Sequence, residues 1–376
     1  MKKFTFVCYA LIFCIFLSAM TTLPSAAEGE FSVSAKSAVL VLGDSGKVVW
    51  SKNSRERLPM ASTTKIMTAL VAIENTPDLS KPVKINSDAC GIEGSSIYLK
   101  EGEKLTLEQL LYALLLESAN DSACAISIEV AGSVEKFADM MNATAEKIGM
   151  TDSHFTNPHG LDDDEHYTTA EDLAKLTVYA LNNETFAKIV STYKTTIPGS
   201  DDAGSRMLLN HNKMLKHYDG AVGVKTGFTK RSGRCLVSAA VRDGVSLVAV
   251  TLSAPDDWND HKAMLDYGFA NYKHIAVADP GKINITLPVT GSTENTVTLT
   301  NKESAEITVP AGDDTIACKI EAPRFLYAPI LKDDVLGYAC FYKGNEEIAR
   351  MPLYADKDCP YKEKPSLWHR ILEMYK

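Results

Sequence analysis

The sequence carries a serine and a lysine at a spacing suited to nucleophilic chemistry. Ser62 and Lys65 belong to the run Ser-Thr-Thr-Lys, which follows Pro59-Met60-Ala61 and opens a predicted helix. Because residues i and i+3 share one face of a helix, the two side chains can meet. A lysine in the first helical turn is opposed by the helix dipole, so helix stability does not explain its presence. The dipole and burial both lower the pKa of an amine, and a neutral amine beside a hydroxyl can activate the serine as a nucleophile.

Two later motifs could complete such a site. Ser118-Ala119-Asn120 interrupts two apolar helical stretches, where a loop can turn short polar side chains into a cleft. Lys225-Thr226-Gly227 ends a strand-like run, and the missing side chain of Gly227 is expected to leave room for a substrate backbone along the strand edge. Each motif alone is weak. The ordered set of three motifs on helix, loop and strand is a strong indication of serine-based acyl transfer.

The elements that must position these motifs follow from hydrophobic periodicity. Strands at both ends with helices between them indicate an α/β (α+β) catalytic body over residues 28–277. Thr106 opens one helix with a capping box, and Thr169 opens another. The predicted helices are 62–74, 106–116, 121–131, 134–148, 169–181 and 261–272, and the predicted strands are 39–42, 47–50, 222–226, 235–241 and 246–252.

From residue 282 the pattern changes to short β-rich runs separated by turn signals such as Lys343-Gly344-Asn345. This spacing predicts a small all-β sandwich over residues 282–356. The region contains no grouped catalytic residues, so we expect a structural or spacing module.

The first 27 residues have the pattern of a secretory signal peptide. Lys2 and Lys3 precede twelve apolar residues at 6–17, and small residues end at Ala27. The apolar run is short for a bilayer crossing, which needs about 20 residues. We therefore expect an exported protein in which disulfides are possible, although the pairing of the remaining six cysteines cannot be deduced. Hydrophobic residues form 45% of the chain, which indicates a folded protein, and the net charge of −9 excludes a basic field for nucleic acid.

Residues 357–376 are predicted to be a linker and an amphipathic C-terminal helix. Leu367, Trp368, Ile371, Leu372 and Tyr375 fall on one helical face, opposite a set of charged side chains. Such a helix fits a peripheral anchor on an anionic lipid surface. A short terminal helix packed on its own domain is the alternative.

With these motifs in place, the chain resembles the low-molecular-weight penicillin-binding proteins, which are serine D-alanyl-D-alanine carboxypeptidases. The resemblance also includes Asn157-Pro158-His159-Gly160-Leu161 and His166-Tyr167-Thr168-Thr169-Ala170. It implies a penicillin-recognising, serine transpeptidase-like catalytic domain, followed by a β domain and an amphipathic tail. One departure is Phe228, where many members have histidine after Lys-Thr-Gly; since that position would supply a backbone N–H, we expect activity to be kept.

The resemblance implies roles for the motif residues in an acyl-enzyme reaction. Ser62 would attack the penultimate D-alanine carbonyl, Lys65 would remove the serine proton, and Ser118 would relay a proton to the leaving D-alanine. Asn120 would bond the substrate amide and Lys65. Lys225 and Thr226 would hold the terminal carboxylate, with Gly227 beside them.

The backbone N–H groups of Ser62 and Phe228 would form the oxyanion hole. No metal or organic cofactor is needed. The implied partners are peptidoglycan stem peptides ending in D-Ala-D-Ala, β-lactams as covalent inhibitors and the membrane surface, and the implied location is the outer face of a bacterial cytoplasmic membrane or the cell-wall space.

Several residues invite other interpretations. His159 and His166 bracket the acidic run 162–165, but consecutive acidic residues are more typical of a solvated loop than of a metal site. His211 is a candidate for the cleft near the substrate carboxylate. A serine β-lactamase shares the three motifs, but no Glu-x-x-x-Asn pattern lies between Asn120 and Lys225. A non-catalytic wall-binding or β-lactam-sensing module would not need a base-activated nucleophile.

Overall fold

The computed structural model describes residues 31–199, 204–312 and 315–363. The predicted signal peptide and the predicted helix at 365–376 lie outside the described residues. The chain divides into two compact units, the first reaching Gly268 and the second continuing from Phe269, with Asp243–Val245 assigned to the second. Among the described helices, none combines the length and apolar character that a membrane crossing requires.

The first unit is built on a five-stranded sheet in the order β2-β1-β9-β8-β7. Val39, Leu40 and Val250 lie fully buried in it, which is the reason these apolar runs form central strands. The strand β7 lies at one edge of the sheet, so one side of its backbone is left unpaired. The strands are β1 Ser37–Leu42, β2 Val48–Lys52, β3 Pro82–Lys84, β4 Lys104–Thr106, β5 Lys194–Pro198, β6 Ser205–Leu209, β7 Ala221–Thr229, β8 Gly233–Arg242 and β9 Val245–Leu252.

Helices of the first unit pack beside this sheet, and several of them begin at a polar residue whose side chain caps the helix. Thr106 forms the predicted capping box with Gln109, and Thr169 accepts a hydrogen bond from the backbone of Asp172. The helices are α1 Lys65–Asn75, α2 Leu107–Leu116, α3 Asn120–Ala131, α4 Val134–Lys147, α5 Ala170–Leu181, α6 Glu184–Ser191, α7 Met214–His217 and α8 Asp257–Asn271. The predicted helices and strands are confirmed, apart from shifts at their ends, whereas α6 and the β5–β6 hairpin were not predicted.

After Asn271 the described residues of the second unit form β-strands and the turns between them, which confirms the predicted β domain. A six-stranded sheet in the order β14-β16-β17-β12-β11-β15 shares one apolar core with a two-stranded sheet of β10 and β13. The strands are β10 Tyr272–Ala278, β11 Asn284–Thr290, β12 Thr296–Thr300, β13 Ala305–Pro310, β14 Ala317–Glu321, β15 Leu326–Tyr327, β16 Val335–Lys343 and β17 Glu346–Ala355. The segment 272–278, which the sequence analysis placed in the first domain, pairs with β13 of the second unit.

Candidate active site

Ser62 stands on a turn of 3-10 helix, Ala61–Thr64, that leads directly into α1. In a 3-10 turn the side chains at i and i+3 are nearly eclipsed, which brings Ser62 and Lys65 together. The Lys65 Nζ lies 3.0 Å from the Ser62 Oγ. The contact expected from the Ser-x-x-Lys spacing is therefore present.

The Lys65 amine has three oxygen neighbours, which differ in whether they can donate a hydrogen bond. Besides the Ser62 Oγ it contacts the Asn120 Oδ1 at 2.7 Å and the backbone carbonyl of His159 at 2.5 Å. The Asn120 Nδ2 donates to the carbonyl of Glu93, so the amide oxygen must face Lys65. Both carbonyl oxygens can only accept. A neutral amine has two N–H donors for them and one lone pair left for the Ser62 hydroxyl proton.

Burial controls the charge of this amine. Lys65 is fully buried, and loss of hydration, followed by the charge of Lys225, holds the pKa of the Lys65 amine well below its usual value. The nearby Asp121 carboxylate acts in the opposite direction but is already bonded to Ser96 and the backbone of Leu99. Within the described ranges, Lys65 forms no ion pair with a carboxylate.

The break between α2 and α3 contributes the second motif. Ser118 lines the cleft with a backbone φ of 61°, a left-handed conformation that is unusual for a residue other than glycine. Asn120 begins α3, and its backbone N–H donates to the carbonyl of Ser95 at 2.7 Å. The loop thus brings the Asn120 amide to Lys65 and places Ser118 in the cleft lining.

The edge strand β7 forms another wall of a cleft of about 370 Å³. This cleft brings together the predicted residues Ser62, Ser118, His211, Thr226, Gly227 and Phe228. It is also lined by Ser95, Lys213, Arg234, Asp257 and Trp258, which the sequence analysis did not single out. All these residues belong to the first unit.

Lys225 lies beneath this wall rather than in the cleft lining. Its side chain is buried, its Nζ donates to the carbonyl of Thr226 at 2.9 Å, and burial lowers the pKa of the Lys225 amine to about 7. Of the Lys-Thr-Gly motif, Thr226 and Gly227 therefore line the cleft, while the lysine influences it mainly through charge.

The small size of Gly227 also has a structural reason. A Cβ at this position would lie 3.1 Å from the Met60 carbonyl oxygen and equally close to the backbone nitrogens of Ser62 and Thr63. The missing side chain thus permits close approach of β7 to the turn that carries the nucleophile.

The nucleophile turn is strained and is supported from the 157–170 region. Ala61 has a φ of 47°, and a Cβ on Gly160 would lie only 2.0 Å from the Ala61 carbonyl oxygen. The Thr64 hydroxyl donates to the same carbonyl at 2.8 Å. The sequence analysis quoted Gly160 only as part of a family motif; the structure shows that it packs against this turn.

His166 completes this support. Its Nδ1 accepts the backbone N–H of Thr156 at 3.0 Å, so the proton of the neutral ring is on Nε2, which donates to the Thr64 Oγ1 at 2.8 Å. Burial lowers the pKa of His166 to about 4, which keeps the ring neutral at physiological pH. A chain of hydrogen bonds thus runs from His166 through Thr64 to the carbonyl of Ala61.

Neither bracketing histidine is arranged as a metal ligand. His159 accepts the backbone N–H of Leu161 through Nδ1, and both nitrogens of His166 are engaged as described. In the second unit, Glu321, Cys340 and Glu347 lie close enough to share an ion, but Arg350 pairs with both carboxylates. A cation would therefore compete with the guanidinium.

His211 lies at the mouth of the cleft, where its Nε2 is 3.3 Å from the Glu117 carboxylate. Glu117 also accepts the backbone N–H of Leu209. The expected placement of His211 in the cleft is observed, with a carboxylate as its partner.

Arg234 is the main residue that sequence reasoning missed. It lies opposite Phe228 in the β7–β8 ladder, and its Nε donates to the buried carboxylate of Asp257 at 3.0 Å. The guanidinium and the Lys213 amine both stand about 6 Å from the centre of the Trp258 ring. In the sequence, Arg234 directly follows the basic turn Lys230-Arg231-Ser232-Gly233, which does not distinguish it from a surface residue.

Comparison with known proteins identifies two family matches. The D-alanyl-D-alanine carboxypeptidase family matches residues 21–256, and the C-terminal domain of penicillin-binding protein 5 matches residues 272–361. The two matches fall on the α/β region and the β region respectively.

Individual relatives agree with these matches. The D-alanyl-D-alanine carboxypeptidase DacF of Bacillus subtilis is 32% identical over 88% of this chain and 87% of its own length. DacC of Escherichia coli is 30% identical over 86% of this chain and 83% of its own. The structure of penicillin-binding protein 5 of Haemophilus influenzae matches with a TM-score of 0.72 at 26% identity, over 88% of this chain and 99% of its own. PBP3 of Streptococcus pneumoniae has a TM-score of 0.77 at 25% identity, covering 88% and 100%.

The support of the nucleophile turn by His166 is testable. In the His166→Ala protein, Thr64 loses its donor and the Ala61 carbonyl can shift, so acylation of Ser62 by a fluorescent penicillin should slow by about tenfold or more, since small displacements of a nucleophile are costly. His154→Ala is the matched control, because His154 contacts the Glu165 carbonyl in the same region and not the turn. Equal acylation rates in the wild type and a folded His166→Ala protein would contradict the role.

Proposed function

The chain belongs to the serine D-alanyl-D-alanine carboxypeptidases of the low-molecular-weight penicillin-binding protein family, and we propose that it is an exported enzyme that removes the terminal D-alanine from peptidoglycan stem pentapeptides. The reaction proceeds through an acyl-enzyme on Ser62, and penicillins acylate the same serine. The family assignment rests on matches to both regions of the chain.

One observation carries the proposal: a buried lysine amine touches a cleft-lining serine and has two other neighbours that can only accept hydrogen bonds. Burial lowers the pKa of an amine in this position, which favours its uncharged form. Its lone pair then faces the Ser62 Oγ at 3.0 Å, within the range for proton transfer. A purely structural lysine would be expected to reach solvent or a carboxylate.

In the first step the Ser62 Oγ attacks the carbonyl carbon of the penultimate D-alanine, and the serine proton passes to the Lys65 Nζ. The carbonyl π electrons move to the oxygen, which becomes an oxyanion. We assign its stabilisation to the backbone N–H groups of Ser62 and Phe228. The close packing of Gly227 against the Ser62 backbone supports this pairing, because it keeps β7 beside the nucleophile turn.

In the second step the oxyanion collapses and the C–N bond to the terminal D-alanine breaks. The leaving nitrogen needs a proton, which Ser118 relays from the protonated Lys65. Ser118 and Ser62 line the same cleft, and the Asn120 Oδ1 accepts a hydrogen bond from the Lys65 amine. Water then hydrolyses the ester, which releases the shortened peptide and restores the Ser62 hydroxyl.

Recognition of the terminal carboxylate is assigned to Thr226 and Arg234. Both line the cleft, whereas the Lys225 amine is buried against the Thr226 carbonyl. The buried Asp257 carboxylate holds one edge of the Arg234 guanidinium, and its other N–H groups remain for an anion. Lys225 contributes positive potential from below, so its predicted part in carboxylate binding becomes an indirect one.

Export and peripheral attachment are the remaining parts of the proposal. They are supported by the signal-peptide pattern at residues 1–27 and by the amphipathic pattern at residues 365–376. The location is the outer face of the cytoplasmic membrane or the cell-wall space, where stem peptides are found.

The assignment of the nucleophile predicts a simple labelling result. A fluorescent penicillin should label the wild-type protein covalently, and the Ser62→Ala protein should not be labelled, because it lacks the oxygen that forms the ester. Ser191→Ala, which removes an exposed hydroxyl bonded to the Lys188 carbonyl, is the control and should be labelled normally. Labelling of folded Ser62→Ala at another residue would exclude this serine as the nucleophile.

The assignment of Arg234 predicts a loss of carboxylate recognition. In the Arg234→Met protein, kcat/KM for a peptide ending in D-Ala-D-Ala should fall by about ten- to a hundredfold, as expected for a lost charge-assisted hydrogen bond. The same peptide with a C-terminal amide is the matched substrate, and its hydrolysis should change little. An equal loss with both substrates would mean that Arg234 only supports the cleft wall.

A further inference from the structure

The second unit carries a cluster of exposed apolar side chains outside the cleft. Phe325, Tyr327 and Leu331 are 48%, 69% and 64% exposed, and all lie in the segment that runs from β14 to β16. We call this segment, residues 324–332, the aromatic loop. Solvent-exposed aromatic and aliphatic side chains grouped in one loop are typical of an interaction surface.

The aromatic loop has a defined conformation. Its residues Leu326 and Ile330 are buried, so the apolar side chains alternate between the core and the surface. Leu326 and Tyr327 pair with β11, and Ile330 exchanges two backbone hydrogen bonds with Cys359. The exposed side chains are therefore held outward by a paired backbone, and their exposure is a property of the fold.

The loop lies beside the point where the described chain ends. The Ala328 N–H donates to the carbonyl of Thr290, and the Lys362 N–H donates to the carbonyl of the next residue, Gly291. Tyr361 packs within 3.8 Å of the position that a Cβ on Gly291 would occupy and is itself 57% exposed. The aromatic loop and the chain leading to residue 365 therefore emerge from the same edge of β11.

We propose that the aromatic loop is a second membrane contact, in which Phe325, Tyr327 and Leu331 insert into the interface of the lipid bilayer on which the C-terminal helix lies. This inference rests on the proposed peripheral attachment. From Lys362 to Pro365 the chain can span at most about 10 Å, so a helix in the bilayer interface brings the loop to the same surface. Aromatic side chains are favoured at that depth.

The charges near the aromatic loop favour apolar insertion over electrostatic binding. Arg324 and Lys332 belong to the loop, while the carboxylates of Asp334 and Asp358 bond its backbone at Leu331 and Lys332. The loop is thus close to neutral, and its binding comes from apolar insertion and not from attraction to anionic headgroups. Alone it is weak, but attachment to the helix raises its effective concentration at the bilayer.

Vesicle binding of the full mature chain tests the inference. The triple variant Phe325→Ser, Tyr327→Ser, Leu331→Ser should bind vesicles of equal parts phosphatidylethanolamine and phosphatidylglycerol at least about tenfold more weakly than the wild type, because three apolar contacts are lost. The control triple variant Val48→Ser, Met207→Ser, Val241→Ser removes exposed apolar residues of the first unit and should bind normally. Equal binding of the two triple variants would overturn the proposal.

A second measurement distinguishes whether lipid or the chain's own C-terminal tail covers the aromatic loop. Trp50 and Trp258 are present in both the Trp368→Phe protein and the Phe325→Trp, Trp368→Phe protein, so the difference between their emission spectra reports on position 325. This difference emission should be quenched by vesicles containing brominated lipid. If the tail covers the loop instead, emission at position 325 will be blue-shifted without vesicles and insensitive to brominated lipid, which contradicts the proposal. Hydrolysis of a soluble D-Ala-D-Ala peptide by each variant reports on the proposed function separately, since none of these residues lines the cleft.

Discussion

The Lys65 amine is buried completely and has no ion-pair partner within the part of the chain that the structure describes, and this constraint organises the site around it. Burial disfavours the charged amine and lowers its pKa, which favours a neutral form whose lone pair can face Ser62. The neighbouring groups favour the neutral amine. The side-chain oxygen of Asn120 and the backbone carbonyl of His159 accept its two N–H groups, and the nearby Asp121 carboxylate is hydrogen-bonded to Ser96.

The same constraint has a cost in stability with a definite dependence on pH. In the unfolded chain Lys65 and Lys225 are protonated up to about pH 10.4, whereas in the folded chain the pKa of Lys225 is about 7 and that of Lys65 is also lowered. The unfolded state therefore binds more protons between these limits, and the free energy of unfolding contributed by the two amines rises with pH across that window. At neutral pH the apolar core of the first unit must offset their burial.

The sequence was sufficient for the family, the two-region architecture and the contact of Ser62 with Lys65, because three short motifs have local geometry that follows from residue spacing. Contacts between distant segments were not accessible in this way. The role of Arg234 in the cleft is evident only from its contact with Asp257. The role of Gly160 is evident only from its close packing against the strained turn at Ala61. The strand 272–278 continues the first region in sequence, yet it pairs with a strand beyond residue 304, a contact that periodicity alone does not reveal. The exact domain boundary remains a prediction.

The protonation state of Lys65 is the most direct test of this account. Nitrogen-15 NMR of lysine side chains, with the Lys65 signal assigned by its absence from the Lys65→Arg protein, reports the charge of the amine as pH is varied. We expect a neutral-amine signal at neutral pH, with a protonation midpoint well below the usual lysine value. An ammonium signal that persists from neutral pH up to the ordinary lysine pKa would contradict the assignment of Lys65 as the base.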